Sequence, residues 1–187
     1  MDSLVESRVF LIKVPNIMIR EAKIEDAHAI QNLICFYSED GKMLFRTLAE
    51  IEQNIADFLV YEKRDETIGI CSLKFGWDRL VEIRSLGVDP RYQRQGIATQ
   101  MIQGSIERAL LRDDCDTAFV LTYAVPLFTK FGFEIVDKIQ LPQKVWNDCQ
   151  ACLHKDNCDE TAMSLSLLPL KNAVRSALKD SEEVLYS

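Results

Sequence analysis

The stretch from Leu80 to Leu110 limits the fold more than any other part of the chain. Leu80-Val81-Glu82-Ile83-Arg84-Ser85-Leu86-Gly87-Val88 reads as one long strand, and it stops at Asp89-Pro90, where proline ends a hydrogen-bonded ladder. A polar loop, Arg91-Tyr92-Gln93-Arg94-Gln95-Gly96, follows. Ile97, Met101, Ile102, Ile106 and Leu110 then recur at helical spacing and mark the buried face of a helix. Beyond it, Ala118-Phe119-Val120-Leu121-Thr122 is short and nearly all apolar, as a parallel strand covered on both faces should be. Strand, glycine loop, helix and strand in that order predict an α/β fold in which the helix connects two neighbouring strands.

The flanking segments fit this frame. Residues 1–15 are apolar but irregular and read as a short leader or extra strand, and Ile17-Met18-Ile19-Arg20 is strand-like. Ala27, Ile30, Leu33, Ile34 and Tyr37 line a helix that ends at Asp40-Gly41. Thr47-Leu48-Ala49-Glu50 has the form of a capping box, in which threonine accepts a free amide and glutamate reaches back. Phe58–Tyr61 and Thr67–Leu73 are strands joined by the charged turn 63–66. A short helix over 125–131 ends at Gly132, and 133–136 and 162–168 are the last strands. The charged tail, 169–187, is weakly helical and is left as docked on the core, paired with another subunit or disordered. One domain over 16–168 results, with a cysteine-rich loop, 141–160, inside it.

Composition narrows the function. The 187 residues are 48% hydrophobic and 27% charged, enough for the core of one domain. Twenty-two Lys and Arg against 29 Asp and Glu leave a net charge of −7 without a dense basic block, which disfavours nucleic acid as a partner. No apolar run approaches the roughly 20 residues that span a bilayer. The start, Met1-Asp2-Ser3-Leu4-Val5-Glu6, lacks the basic patch and apolar stretch of a signal peptide, so a cytoplasmic protein with no membrane partner is expected. Cys35, Cys71 and Cys115 lie in or beside apolar segments and read as small core residues.

The loop before the 97–110 helix is where chemistry concentrates. The first turn of any helix carries unpaired N–H groups and the positive end of its dipole. Gly96 and the small Ala98 let a diphosphate approach those amides, with Arg91 and Arg94 adding charge at the rim. A plain surface loop with a glycine near a helix start is the competing interpretation. The GxxxxGK[ST] of a P-loop and the GxGxxG of a dinucleotide site are both missing, which disfavours ATP and NAD.

Gln93-Arg94-Gln95-Gly96-Ile97-Ala98 matches the acyl-CoA signature Gln/Arg-x-x-Gly-x-Gly/Ala, and Lys130-Phe131-Gly132-Phe133 matches a second landmark. With its order of elements from Ile17 to Leu168, the chain resembles the GCN5-related N-acetyltransferase (GNAT) family. The resemblance implies a mixed, mainly antiparallel sheet with a central parallel, splayed strand pair and flanking helices. It implies acetyl-CoA as cosubstrate. Main-chain groups of Leu86, Gly87 and Val88 would serve the pantetheine and thioester, with a Leu86 or Val88 N–H polarising the carbonyl. Gln93, Arg94, Gln95, Gly96, Ile97, Ala98 and Thr99 would hold the diphosphate, and Thr122 and Phe128 would border the cofactor arm.

Within that resemblance Glu82 is the candidate base, and period-two alternation puts it on one face with Arg84 and Leu86. A structural pair of Glu82 with Arg84 is the alternative, because a carboxylate on an apolar strand needs a partner either way. Many family members carry a tyrosine acid where Phe128 stands here. Tyr123 is the candidate substitute, against a simple packing role. A thiol of pKa about 8.5 also leaves without help.

Met43-Leu44-Phe45-Arg46-Thr47-Leu48-Ala49-Glu50, Phe58-Leu59-Val60 and Phe119-Val120-Leu121-Thr122 resemble the acetyltransferase domain of bacterial N-acetylglutamate synthases. That resemblance implies that Arg46, with Arg84 as a second candidate, binds a substrate carboxylate through its planar fork. The arginine those synthases carry after Leu-Thr is missing from Tyr123-Ala124-Val125, and the length leaves no room for their kinase-like domain. The expected reaction is acetylation of the amine of a small amino acid, with L-glutamate as one candidate, by a monomer or homodimer. Acetylation of a peptide or protein N-terminus, a lysine or a polyamine, and a non-catalytic acyl-CoA sensor, are the alternatives.

Cys149, Cys152, His154 and Cys158 form a separate C-x2-C-x5-C cluster. Its three thiolates and imidazole would satisfy a structural zinc. Reduced cysteines in a surface loop, or a redox pair, are the other readings.

Overall fold

The computed structural model describes residues 19–141 and 157–185. Strand β1 (Ile19–Glu21) leads through a tight turn at Ile24–Asp26 into helices α1 (Ala27–Glu39) and α2 (Leu48–Gln53). Strands β2 (Phe58–Lys63), β3 (Glu66–Trp77) and β4 (Leu80–Val88) follow, then helix α3 (Ile97–Leu110) and β5 (Thr117–Thr122). Helix α4 (Val125–Thr129), β6 (Glu134–Ile135), β7 (Thr161–Ser166) and helix α5 (Leu168–Leu185) complete the chain. One seven-stranded sheet runs β1-β2-β3-β4-β5-β7-β6. Among the described residues β4 and β5 are its one parallel pair.

Local chemistry explains the boundaries. The Glu50 amide donates to the Thr47 hydroxyl at 3.3 Å, and the Thr47 amide donates to the Glu50 carboxylate at 2.7 Å, closing the capping box of α2. Arg64 (φ 55) and Asp65 (φ 62) form a two-residue turn with both residues left-handed, which suits the twist of the β2–β3 hairpin. A second such turn at Asp78 (φ 47) and Arg79 (φ 60) joins β3 to β4 and carries β3 four residues past the expected end at Leu73. The last strand stops at Ser166 instead of Leu168, because α5 begins at Leu168.

The core lies on both faces of the sheet. Met101, Ile102, Ile106 and Ala109 of α3 pack on Cys71, Leu73, Val81, Ile83, Ala118 and Val120. On the other face Ile30 and Ile34 of α1 and Ile51 of α2 cover Phe58, Val60 and Ile70. Burying each such side chain contributes about 1.5–3 kcal/mol. Cys71 and Cys115 are buried and Cys35 is half-buried, so the first two are core residues as expected.

The base of the parallel pair is clamped. The Asp116 amide donates to the Arg79 carbonyl at 2.7 Å, and the Arg79 guanidinium donates to the Asp116 carboxylate and, at 2.6 Å, to the Asp113 carbonyl. Lys171, itself buried, donates from Nζ to the carbonyls of Arg112 and Cys115 and ties the first turn of α5 to the same loop. The tail therefore begins docked on the core. Residues 1–15 lie outside the described residues.

Candidate active site

The chain makes its cleft by letting two strands part. β4 and β5 share three rungs, Leu80–Thr117, Val81–Ala118 and Glu82–Phe119. Pairing ends there, although β4 continues to Val88 and β5 to Thr122. Beyond Glu82 the facing edges diverge, as the resemblance implies for a slot that takes an extended cofactor arm.

A bulge in β4 re-aims its side chains at the slot. Ser85 has φ 51, and the register slips there: Ile70 faces Gly87, but Ser72 faces Arg84, so two steps on β3 span three on β4. Glu82 and Arg84 stay on the α1–α2 face, with Arg84 Nη1 4.0 Å from the Glu82 carboxylate and Lys74 opposite Glu82. Leu86 does not join them. It packs against the cluster of Val81, Ile83 and α3, because the extra residue shifts the alternation by one. Gly87 turns toward α1 instead, and a Cβ there would meet the Tyr37 ring at 3.0 Å.

At the end of β4 the Tyr37 hydroxyl donates to the Val88 carbonyl at 2.5 Å, and the Val88 amide donates to the same oxygen at 3.3 Å. The Gln93 side-chain amide also donates to it, at 2.9 Å. Of the two N–H groups expected to serve the thioester, Leu86 or Val88, that of Val88 is engaged by Tyr37 here.

The loop fits an anion. Gly96 caps α3 at φ 80, a conformation that favours glycine, and a Cβ there would meet nothing within 4 Å. Gly96 has no side chain with which to cap the first turn of α3. Gln93, Arg94 and Gln95 are exposed on the loop, and Ile97 is buried beneath it. Arg91, expected at the rim, is committed elsewhere: it pairs with Asp89 at 2.7 Å and Glu66 at 2.5 Å. Those carboxylates raise its pKa further, and its guanidinium in turn draws that of Asp89 below its ordinary value.

Residues 24–133 match the acetyltransferase (GNAT) family. An uncharacterized N-acetyltransferase of Chlorobaculum tepidum is 34% identical over 149 residues, which cover 80% of this chain and 96% of that protein. The chain belongs to the GNAT acetyltransferase family. The amino-acid acetyltransferase of Mycobacterium tuberculosis is 28% identical over 136 residues, 70% of this chain and 76% of that protein. N-acetylglutamate synthase from Neisseria gonorrhoeae, solved with coenzyme A and N-acetyl-glutamate, shares the fold. Its TM-score is 0.72 at 24% identity, covering 80% of this chain and 34% of that one.

The remaining candidate residues of this GNAT acetyltransferase fall in different places. Arg46 is half-buried just ahead of α2. The Thr122 hydroxyl accepts the Ala124 amide at 2.9 Å and closes the turn after β5. The Tyr123 hydroxyl donates to Asp159 at 2.8 Å, and that carboxylate, aided by burial, pushes the phenol well above its ordinary range. Phe128 is 1% exposed and stacks edge-on against Phe133 in the core, which leaves no ring surface open to a cofactor. Cys149, Cys152 and His154 lie outside the described residues. Cys158 Sγ accepts from Lys138 Nζ at 3.3 Å, and among the described residues no three His, Cys, Asp or Glu side chains gather around a metal-sized point. No described helix is long and apolar enough to cross a membrane.

Tyr37 is the residue that sequence reasoning missed. Its place on the apolar stripe of α1 reads as packing, and the polar tip of an aromatic at the end of a helix was the signal that it reaches further.

Proposed function

We propose that the acetyltransferase moves an acetyl group from acetyl-CoA to the α-amine of a small amino acid, with L-glutamate as the first candidate, in a ternary complex. Acetyl-CoA supplies an activated thioester carbonyl. The loop from Gln93 to Ala98 and the first turn of α3, including Thr99, hold its diphosphate through main-chain amides and the Arg94 charge. The Leu86 N–H polarises the carbonyl oxygen. Glu82 takes the amine's proton as the N–C bond forms and the C–S bond breaks, and the sulfur leaves with its electron pair. Four residue steps, each about 3.3 Å where the strand is regular, separate Glu82 from Leu86 along β4, so the carboxylate works through a water. Arg46, aided by Arg84, binds the acceptor's carboxylate.

One observation carries this reading: β4 parts from β5 at Glu82, on the same strand that carries the bulge at Ser85 and leads to the glycine-capped start of α3. The kinship with an amino-acid acetyltransferase supports a free amino acid as acceptor. A free-thiol release assay with acetyl-CoA over a panel of amino acids and peptides tests it. Turnover with a free amino acid is expected. Turnover with peptides alone would move the acceptor to a polypeptide amine, and CoA binding without any transfer would make the chain a sensor.

A further inference from the structure

Among the described residues no strand pairs with the slot-side edge of β4 beyond Glu82, and an open strand edge is a row of polar groups in need of partners. At Val88 that need is met from α1. The Tyr37 hydroxyl donates to the Val88 carbonyl at 2.5 Å and accepts from the Val88 amide at 3.3 Å. A hydroxyl can serve both groups with one atom, as the paired N–H and C=O of a secondary amide serve them with two. The arrangement is built into the strand. The ring lies on Gly87, where any Cβ would meet Tyr37 Cε2 at 3.0 Å and Cδ2 at 3.1 Å, so a larger residue would hold the hydroxyl away from the edge. Gln93, the first residue of the diphosphate loop, steadies the same oxygen at 2.9 Å.

We propose that Tyr37 is a placeholder for the cofactor arm: in the free enzyme its hydroxyl fills the polar groups of Val88, and CoA binds by displacing it. This rests on the acetyl-CoA reading above, in which β4 main-chain groups take the pantetheine amides. Displacement has a second consequence, since the Gln93 amide is released at the moment the diphosphate reaches its loop. Arm and diphosphate sites thus open together.

Calorimetry of the full chain with CoA, comparing wild type with Tyr37→Phe, tests the proposal. Phenylalanine keeps the ring on Gly87 and removes only the competing hydroxyl. The variant should bind CoA about three- to tenfold more tightly, the range set by replacing one internal hydrogen-bonding partner with water. In the unliganded variant the Val88 amide should exchange its hydrogen faster than in wild type. Equal or weaker CoA binding by the variant, with wild type binding normally, overturns the placeholder and leaves the acetyl-CoA reading standing. No CoA binding by either protein overturns both. A check on wild type alone guards against a damaged variant: the ζ-carbon resonance of labelled Tyr37 should shift as CoA saturates, and an unmoved resonance also overturns the proposal.

Discussion

Glu82 and Phe119 face each other across the last rung that β4 and β5 share. Below them Arg79 and Asp116 lock the strands in register, and above them the strands part. A carboxylate at that fork has the apolar Phe119 beside it and Arg84 as a charged neighbour at 4.0 Å. If Glu82 is the base, Glu82→Gln keeps shape and hydrogen bonding but loses proton affinity, and thiol release should slow by roughly 10²–10⁴-fold. Thermal melts run alongside separate the roles. An unchanged rate with a lowered melting temperature would assign Glu82 to structure and remove it from the chemistry.

Gly96 carries the loop into α3 at φ 80 with open space where a Cβ would point. Gly96→Ala therefore meets no clash but forces a left-handed alanine, at a cost of roughly 1–2 kcal/mol. In a chain of this size that lowers the melting temperature by about 2–8 °C. The strained backbone also shifts the first-turn amides proposed to hold the diphosphate, so CoA affinity should fall by more than the stability change explains. Calorimetry and a melt on the same sample check both, and CoA binding at wild-type strength would place the diphosphate elsewhere.

Much of this geometry was readable from residue order, and the exceptions share a cause. The span of β4, the span of α3 and the capping box at Thr47 followed from period, proline and capping chemistry, all of which act within a few residues. The bulge at Ser85 did not, because serine has no special liking for φ 51 and the slip is set by pairing with β3. The Asp78–Arg79 turn was missed for the same reason: neither residue is the glycine or asparagine that announces such a hairpin. Phe128 was assigned to the cofactor by its position in a motif, whereas its burial against Phe133 is decided by packing from across the fold. Tyr37 makes the point most directly, since its hydroxyl finds its partner 51 residues away.

Arg46 tests the acceptor. A guanidinium on a carboxylate contributes about 1.5–3 kcal/mol, so Arg46→Ala should raise KM for the preferred amino acid by roughly 10- to 100-fold. CoA affinity should not change, because Arg46 is assigned to the acceptor's carboxylate and not to the cofactor. Arg46→Lys should recover only part of the loss, since an ammonium lacks the planar fork. Steady-state kinetics with amino acid and acetyl-CoA varied in turn provide the measurement. An unaltered KM would return Arg46 to an ordinary place at a helix start.

Acid stability turns on a pair away from the cleft. Arg20 grips Asp26 with two nitrogens, Nη1 at 2.7 Å and Nη2 at 3.0 Å, while the Lys23 amide and the Thr67 hydroxyl complete the carboxylate's shell. The Arg20 hydrogen bonds hold Asp26 below its ordinary value of 3.8 against the opposing effect of burial. A carboxylate lowered in the folded state stabilises the fold above its unfolded pKa, and that contribution disappears as pH falls through the folded value. Wild type should therefore keep this contribution down to about pH 4 and lose it below. In Arg20→Ala the largest lowering cause is gone while burial remains, so the acid loss of stability should begin at higher pH. At pH 7 the variant should be roughly 1–3 kcal/mol less stable, from a buried charge stripped of its main partner. Melting temperatures followed from pH 3 to 7 give the comparison, and coincident curves for the two proteins would show that the pair contributes nothing to acid resistance.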